Sequence, residues 1–158
     1  MPRNYWMLVI TPPNFAVTRQ QGYTVQGFST VNRKKVERME IGDRLLYYVS
    51  GVQRFPASAT ITSTFFVDQT PLWRSHRPEE AFAHRVRIKA EAVIEEEADY
   101  IDARDIAPSM EYVKRWIPEQ WPLAFFGELH LIPRKDFSLI EDELNKIVGR
   151  YRRGLAAV

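Results

Sequence analysis

The sequence predicts a single α+β domain over residues 1–158, with a barrel of five or six strands, peripheral helices and a C-terminal docking helix. The 158-residue length fits one domain, and a hydrophobic content of 45% is enough to bury a core. Short β-favouring segments recur between Gly and Pro turn signals. One apolar stripe with three- and four-residue steps marks the docking helix: Phe137, Ile140, Leu144, Ile147 and Tyr151.

The N-terminal half predicts strands separated by short helical turns. Its first strand ends at a pair of prolines, and Gly42-Asp43 indicates a turn into a strongly apolar strand. The predicted elements are a strand at Tyr5–Ile10, a short helix or loop at Asn14–Tyr23, a helical turn or two within Asn32–Met39, a strand at Arg44–Ser50 and one or two strands within Phe55–Val67.

The C-terminal half begins with a polar, proline-containing loop, Asp68–Glu80, and long loops in compact domains are usually functional or mobile. After it, alternating apolar and charged residues predict a half-buried strand. The predicted elements are that strand at His84–Ile94, weak helical stretches at Ile101–Met110 and Tyr112–Trp116, a strand at Phe125–Ile132 and the docking helix, capped by Asp136.

Composition and charge limit the classes of function. The absence of cysteine excludes disulfides, iron–sulfur clusters and thiolate nucleophiles. A net charge of +2 is small for a protein that wraps a long duplex, but it allows a small footprint on nucleic acid. The apolar runs are too short for a signal peptide or a membrane span, so we expect a cytoplasmic protein that does not bind membranes.

The residue types that carry catalysis form no recognisable motif. His76, His84 and His130 are far apart, and none has a zinc-ligand spacing. There is also no nucleophile elbow and no glycine-rich phosphate loop. We therefore expect no catalytic residues, no metal and no cofactor, and we interpret the protein as a binder rather than an enzyme.

Four segments carry a family resemblance in series: Tyr5-Trp6 with Thr11-Pro12-Pro13-Asn14-Phe15; Gly27-Phe28-Ser29-Thr30 with Lys34 and Met39-x-x-Gly42-Asp43; Leu46-Tyr47-Tyr48-Val49-Ser50-Gly51 leading to Phe55; and Trp121-x-x-x-Phe125-Phe126-Gly127 followed by Asp136-Phe137-Ser138-Leu139-Ile140. In this order they resemble an EVE domain, a PUA-like module related to YTH domains, in its short stand-alone bacterial form. The resemblance runs from about Tyr5 to Leu144.

The resemblance implies an aromatic cage for one modified base. Phe28 and Trp73 would be opposite walls, and Asn14 and the Ser29 backbone would meet the base edge. The strand pair beneath would contribute Tyr48, Ser50 and Phe55. Basic residues close to Phe28 would contact the flanking phosphates: Arg33, Lys34, Lys35 and Arg38.

The expected ligand is a methylated or hydroxymethylated cytosine in DNA, flipped out of the duplex. Modified RNA is a second possibility, as in the wider PUA group. An enzyme acting on a small molecule or nucleotide in the same pocket is a third, and a purely structural or interaction domain is a fourth. The sequence leaves protein partners open.

Overall fold

One mixed β-sheet, curled into a half-barrel, forms the centre of the molecule. The computed structural model describes residues 3–156, so residues 1–2 and 157–158 of the predicted domain lie outside the described residues. The strands are β1 (Tyr5–Ile10), β2 (Val25–Phe28), β3 (Arg44–Val49), β4 (Arg54–Phe55), β5 (Ala57–Ile61), β6 (Phe66–Val67), β7 (His84–Val93), β8 (Ile101–Asp102) and β9 (Leu129–Leu131). Six of them follow the order β2-β7-β5-β3-β1-β9, which confirms the predicted α+β class.

Helices surround this sheet. The α-helices are α1 (Pro12–Gln20), α2 (Arg33–Glu37), α3 (Ala103–Ile106) and α4 (Arg134–Ala156), and 3-10 helices lie at Thr30–Asn32, Glu97–Asp99, Ala107–Ser109, Val113–Arg115 and Pro118–Phe125. The predicted strand Phe125–Ile132 is therefore too long. Gly127 turns the chain with a φ of +94°, so the extended segment begins only after it. No helix of residues 3–156 has the length and apolar character needed to span a bilayer.

Strands β1 and β3 form a parallel pair whose register runs from Tyr5 opposite Arg44 to Ile10 opposite Val49. A parallel pair needs a crossover connection, and here the crossover carries α1, β2 and α2. The two strands end at the same edge of the sheet, so the start of α1 lies at that edge.

The turn before β3 is fixed by a buried carboxylate. Asp43 is 2% exposed and accepts hydrogen bonds from the indole Nε1 of Trp6 and from the backbone N–H groups of Asn4 and Glu40, each at 3.1 Å. Gly42 supplies a φ of +97° that favours glycine. The buried charge is thus hydrogen-bonded, as burial of a carboxylate requires, and the predicted Gly42-Asp43 turn is confirmed.

Helix α4 docks its apolar stripe on the sheet: Phe137, Ile140 and Leu144 are at most 1% exposed. Asp136 does not cap this helix as predicted, because it lies inside the first turn. Its carboxylate instead accepts the backbone N–H groups of Glu111 and Tyr112, both at 2.8 Å. Asp136 therefore ties the helix to the segment before the 3-10 helix Val113–Arg115.

Candidate functional site

A cavity of about 690 Å³ opens at the edge of the sheet where β1 ends. One side is formed by residues 8–11 and Asn14, and a second by residues 26–27 and 29–31. The loop between β6 and β7 forms a third side through Trp73, residues 75–77, residues 79–80 and Phe82. Glu128 also borders the cavity. The predicted long loop thus borders a cavity.

Trp73 is a large aromatic side chain that borders this cavity and is held by polar contacts. It is 3% exposed, and its indole Nε1 donates to the Thr18 hydroxyl at 3.0 Å. The guanidinium carbon of Arg85 lies over the ring, 5.1 Å from its centroid, within the range of a cation–π contact. The indole is therefore oriented before any ligand arrives.

Arg85 also fixes the loop that carries Trp73. The Arg85 side chain is almost wholly buried. Its Nε donates to the Phe82 carbonyl at 3.1 Å, another guanidinium nitrogen donates to the Thr70 carbonyl, and the group lies 3.5 Å from the Asp68 carboxylate. Arg85 thus joins both ends of the loop.

Gly27 allows the loop to approach β2. A Cβ atom there would lie 2.6 Å from Cζ3 of Trp73 and 2.5 Å from the carbonyl oxygen of Phe82, distances that real contacts do not reach. Glycine inside a strand often marks such a close approach of another chain segment. This position therefore needs glycine because Trp73 and the Phe82 backbone occupy the space of a side chain.

A buried polar network extends from Trp73 into the barrel. The Thr18 hydroxyl donates to Oε1 of Gln26 at 2.8 Å, and the Tyr47 hydroxyl donates to the same oxygen at 2.9 Å. Gln26 in turn donates to the Gly27 carbonyl at 2.9 Å. Burial raises the pKa of Tyr47 well above its usual value, so its phenol remains a neutral donor. The network fixes Thr18, and Thr18 orients the indole.

Two further side chains attach the loop to the rim of the cavity. The Asn14 amide donates to the Arg74 carbonyl at 2.8 Å and accepts the Arg74 N–H at 2.9 Å. Glu80 accepts the backbone N–H groups of Thr30 at 2.9 Å and Phe82 at 3.0 Å. These bonds hold the loop beside α1 and beside the 3-10 helix that follows β2.

Glu128 joins the opposite side of the rim. Its carboxylate accepts the Ser29 backbone N–H at 3.1 Å, the Ser29 hydroxyl, and the Asn32 amide at 2.7 Å. Glu128 lies in the turn formed by Gly127, and its contacts with Ser29 and Asn32 span nearly a hundred residues of sequence. The carboxylate thus holds the segment that follows β2 in place.

The EVE domain family matches residues 4–116 of this chain. The chain belongs to the EVE domain family. A UPF0310 protein of Pyrococcus abyssi is 23% identical over 150 residues, which cover 89% of this chain and 99% of that protein. The family match confirms the predicted EVE family over the first three sequence segments, and the fourth, which begins at Trp121, lies outside the matched residues.

Solved structures share the fold of this EVE domain at low sequence identity. The YTH domain-containing protein mmi1, in a complex with RNA, has a TM-score of 0.64 and 11% identity, covering 93% of this chain and 87% of that chain. The Zygosaccharomyces rouxii MRB1 YTH domain, in complex with N6-methyladenosine RNA, has a TM-score of 0.63, 15% identity and coverage of 91% and 89%. A Pseudomonas syringae protein has a TM-score of 0.57, 15% identity and coverage of 89% and 99%.

Three of the seven pocket residues predicted from the sequence border the cavity of the EVE domain: Asn14, Ser29 and Trp73. Phe28, predicted as a cage wall, does not. Its side chain is 0% exposed and belongs to the core. Side chains alternate along a strand, so Phe28 shares the face of Gln26, which points toward Tyr47, while Gly27 faces Trp73.

The other three predicted pocket residues also lie away from the cavity. Tyr48 stacks on Phe125 with ring centroids 4.5 Å apart, and Phe55 packs on Tyr48 at 5.2 Å, so these rings fill their own space. Ser50 caps the end of β1 through its N–H and hydroxyl, which both contact the Ile10 carbonyl. In β3 it is Tyr47, one residue before Tyr48, that contacts the polar network beneath Trp73.

The four predicted phosphate-contacting residues lie on or next to α2, directly after the 3-10 helix at the rim. Arg33 is 3.6 Å from the Glu37 carboxylate, and the Lys35 ammonium donates to the Leu129 carbonyl at 2.8 Å. Lys34 and Arg38 are exposed and form no ion pair with the residues that the structure describes. They are the two cations of this group left available to a ligand.

Gly27, Gln26, Glu80 and Glu128 also border the cavity, and none of them was predicted to do so from the sequence. A glycine within a β-rich segment is a detectable signal of close backbone approach, and Gly27 carried it. The contacts of Glu80 and Glu128 join distant segments and have no local signature. Within residues 3–156 no cluster of three or more His, Asp or Glu side chains has a metal-binding arrangement.

Proposed function

We propose that this EVE domain binds one modified nucleobase, turned out of a nucleic acid strand, in the cavity bordered by Trp73. The observation that carries the proposal is the pre-oriented indole beside a cavity of about 690 Å³. Every base has a flat π-face, and stacking on an aromatic side chain contributes about 1–3 kcal/mol per base. Because Trp73 is held by Thr18 and Arg85, little conformational entropy is lost when a base binds.

The polar groups at the rim suit a base with an exocyclic amino group. The Glu128 carboxylate has acceptor sites beyond the donors it already holds, and Asn14 keeps one N–H and one lone pair after pairing with Arg74. Carboxylates accept well from the cytosine amino group. We therefore propose a methylated or hydroxymethylated cytosine in DNA as the ligand, reached by base flipping.

Modified RNA is the second candidate ligand. The observation that favours it is the shared fold with the Zygosaccharomyces rouxii MRB1 YTH domain, whose structure is a complex with N6-methyladenosine RNA. Methylated adenine keeps one N–H on its exocyclic nitrogen, so the same acceptors at the rim would serve it. A direct comparison of the two bases decides between the candidates.

The state of the carboxylates at the cavity supports binding rather than catalysis. Glu80 and Glu128 both accept hydrogen bonds from N–H and O–H groups of their own chain. Such a side chain can accept one more hydrogen bond on a remaining lone pair, but taking up a proton as a general base would cost it a bond that it already makes. These two side chains therefore act as supports for the rim, and Lys34 and Arg38 would hold the flanking phosphates.

Calorimetric titration with free nucleosides tests the proposal. The ligands are 5-methyl- and 5-hydroxymethyl-deoxycytidine, N6-methyladenosine and their unmodified forms. We expect one modified nucleoside to bind more tightly than its unmodified form. Trp73→Ala should weaken that binding by about 1–3 kcal/mol, or roughly 5- to 160-fold.

Trp116→Ala controls for the loss of a Trp side chain away from the cavity, since Trp116 is 41% exposed and does not border it. It should leave the affinity unchanged, and circular dichroism checks that each variant is folded. Trp73→Phe, which keeps a ring but loses the bond to Thr18, should retain part of the affinity. A folded Trp73→Ala variant with an unchanged preference for the modified nucleoside would disprove the site.

A further inference from the structure

Val31 displays an apolar side chain at the rim of the cavity. It borders the cavity, yet 87% of its surface is exposed to solvent. Single exposed apolar residues are common on protein surfaces and need no explanation by themselves. The position of Val31 is what distinguishes it, because it lies between the cavity and the basic helix α2.

The backbone on both sides of Val31 is anchored. Thr30, before it, is held by Glu80 through both its N–H and its hydroxyl. Asn32, after it, donates to Glu128 at 2.7 Å. Valine is branched at Cβ, which restricts its side-chain rotamers. Val31 is therefore a stiff projection on a fixed turn.

A base that leaves a duplex creates a gap in the stack, and unpairing and unstacking it cost a few kcal/mol. Many proteins that distort DNA insert an apolar side chain between base steps, and the same kind of side chain could occupy such a gap. A suitable side chain has to be apolar, protruding, rigid and next to the pocket that receives the flipped base. Val31 meets each of these conditions.

We propose that Val31 is a wedge that enters the base stack of a duplex at the position vacated by the base bound beside Trp73. The inference rests on the proposed function and adds the form of the ligand: a modified base within a double strand. Lys34, an exposed residue three positions further along, would contact a phosphate beside the insertion point. A single strand has no opposing base and leaves no gap to fill.

The test compares three ligands: a duplex with one modified cytosine, the same modified strand alone, and the free modified nucleoside. Val31→Ala removes two methyl groups and should weaken duplex binding by roughly tenfold. Binding of the single strand and of the nucleoside should change by less than about twofold, and Val31→Leu should restore most of the duplex affinity.

Ile41→Ala is the matched control, since Ile41 is also a β-branched aliphatic residue, 68% exposed, and does not border the cavity. It should leave all three affinities unchanged. Equal losses for duplex and single strand, or no loss for the duplex, would overturn the wedge alone. Phe126 is another exposed apolar residue, at 84% exposed, and a duplex-specific loss in Phe126→Ala instead of Val31→Ala would also overturn the wedge alone. Failure of the wild-type protein to bind any of the three ligands would overturn the proposed function and the wedge with it.

Discussion

The two aromatic regions of this EVE domain differ in what surrounds their rings. Tyr48, Phe55 and Phe125 pack on one another, with centroids 4.5–6.0 Å apart, and all three are at most 5% exposed. Trp73 instead contacts a hydroxyl, a guanidinium group and a glycine, and it borders a cavity. Trp73 is as buried as these rings, at 3% exposed, so the difference lies in its neighbours: the first region is filled by its own rings, whereas polar groups, a glycine and a cavity surround the indole.

This difference shows what makes an aromatic side chain available to a ligand. Aromatic rings that meet other rings fill the space between them and become core. Trp73 stays beside a cavity because Gly27 has no side chain, and because Thr18 and Arg85 fix the indole without covering all of it. The density of aromatic residues in the sequence therefore does not locate the site.

The largest effect is expected in the core. Phe28→Ala removes a side chain that is 0% exposed and should lower the free energy of unfolding by about 3–5 kcal/mol, the usual loss for a buried Phe. Urea denaturation measures it. Phe28→Leu should remain folded and keep the preference for a modified nucleoside. If Phe28→Ala costs little stability but abolishes the preference for a modified nucleoside, Phe28 is a wall of the base-binding site after all.

The contact between Gly27 and Trp73 is the next to test. Gly27→Ala places a Cβ atom within 2.6 Å of the indole and should cost about 1–3 kcal/mol of stability through overpacking. It should also weaken ligand binding, because Trp73 has to move. Gly149→Ala is the control: Gly149 lies inside α4 with its nearest atom 3.5 Å from a new Cβ, so that variant should be at least as stable as the wild type. Equal effects of the two substitutions would contradict this account.

A smaller effect is expected at the loop clamp, the pair of hydrogen bonds by which Asn14 holds Arg74 of the loop. Asn14→Ala removes two hydrogen bonds to the Arg74 backbone, each worth about 0.5–1.5 kcal/mol. The loss should appear as local opening, so trypsin should cleave after Arg74 faster than in the wild type. Thr24→Ala, which also removes a side-chain bond to the backbone, should leave that cleavage rate unchanged. If Asn14→Ala also leaves it unchanged, the clamp does not hold the loop.

The smallest effect concerns a histidine outside both regions. His130 accepts from the Tyr112 hydroxyl at 2.7 Å and donates to the Gly127 carbonyl at 3.2 Å, and burial lowers its pKa below 6.5. The unfolded chain therefore gains a proton before the folded one as the pH falls through about 6.5, and stability decreases there. His130→Gln should show a flatter decrease in thermal unfolding between pH 7 and 5. If thermal stability falls with pH equally in the wild type and in His130→Gln, His130 is not the source of the pH dependence.

The sequence was sufficient for the α+β class and for several elements because the relevant patterns are local. The apolar stripe of α4, the alternation along β7 and the Gly42-Asp43 turn depend on neighbouring residues. The face of the strand on which a residue lies was harder to predict from the sequence, since a shift of one position moves a side chain from the core to the cavity. Phe28 and Tyr48 were assigned to the cavity but belong to the core, whereas Gly27, one position before Phe28, borders the cavity.

The rest of the site could not be predicted because it is assembled from distant segments. Glu128 meets Ser29 across 99 positions, and Asn14 meets Arg74 across 60. No local pattern encodes such contacts. Trp73 was found because a Trp in a polar, proline-containing loop is unusual, and the structure places it at the cavity.

A crystal structure of this EVE domain with the modified oligonucleotide that binds most tightly tests the central claim directly. We expect one base outside its strand, lying in the cavity against Trp73, with its edge near Ser29 and Glu128. The indole should keep its bond to Thr18. A base bound elsewhere, such as on the exposed Trp116 and Ile117, with the cavity beside Trp73 empty, would contradict the account.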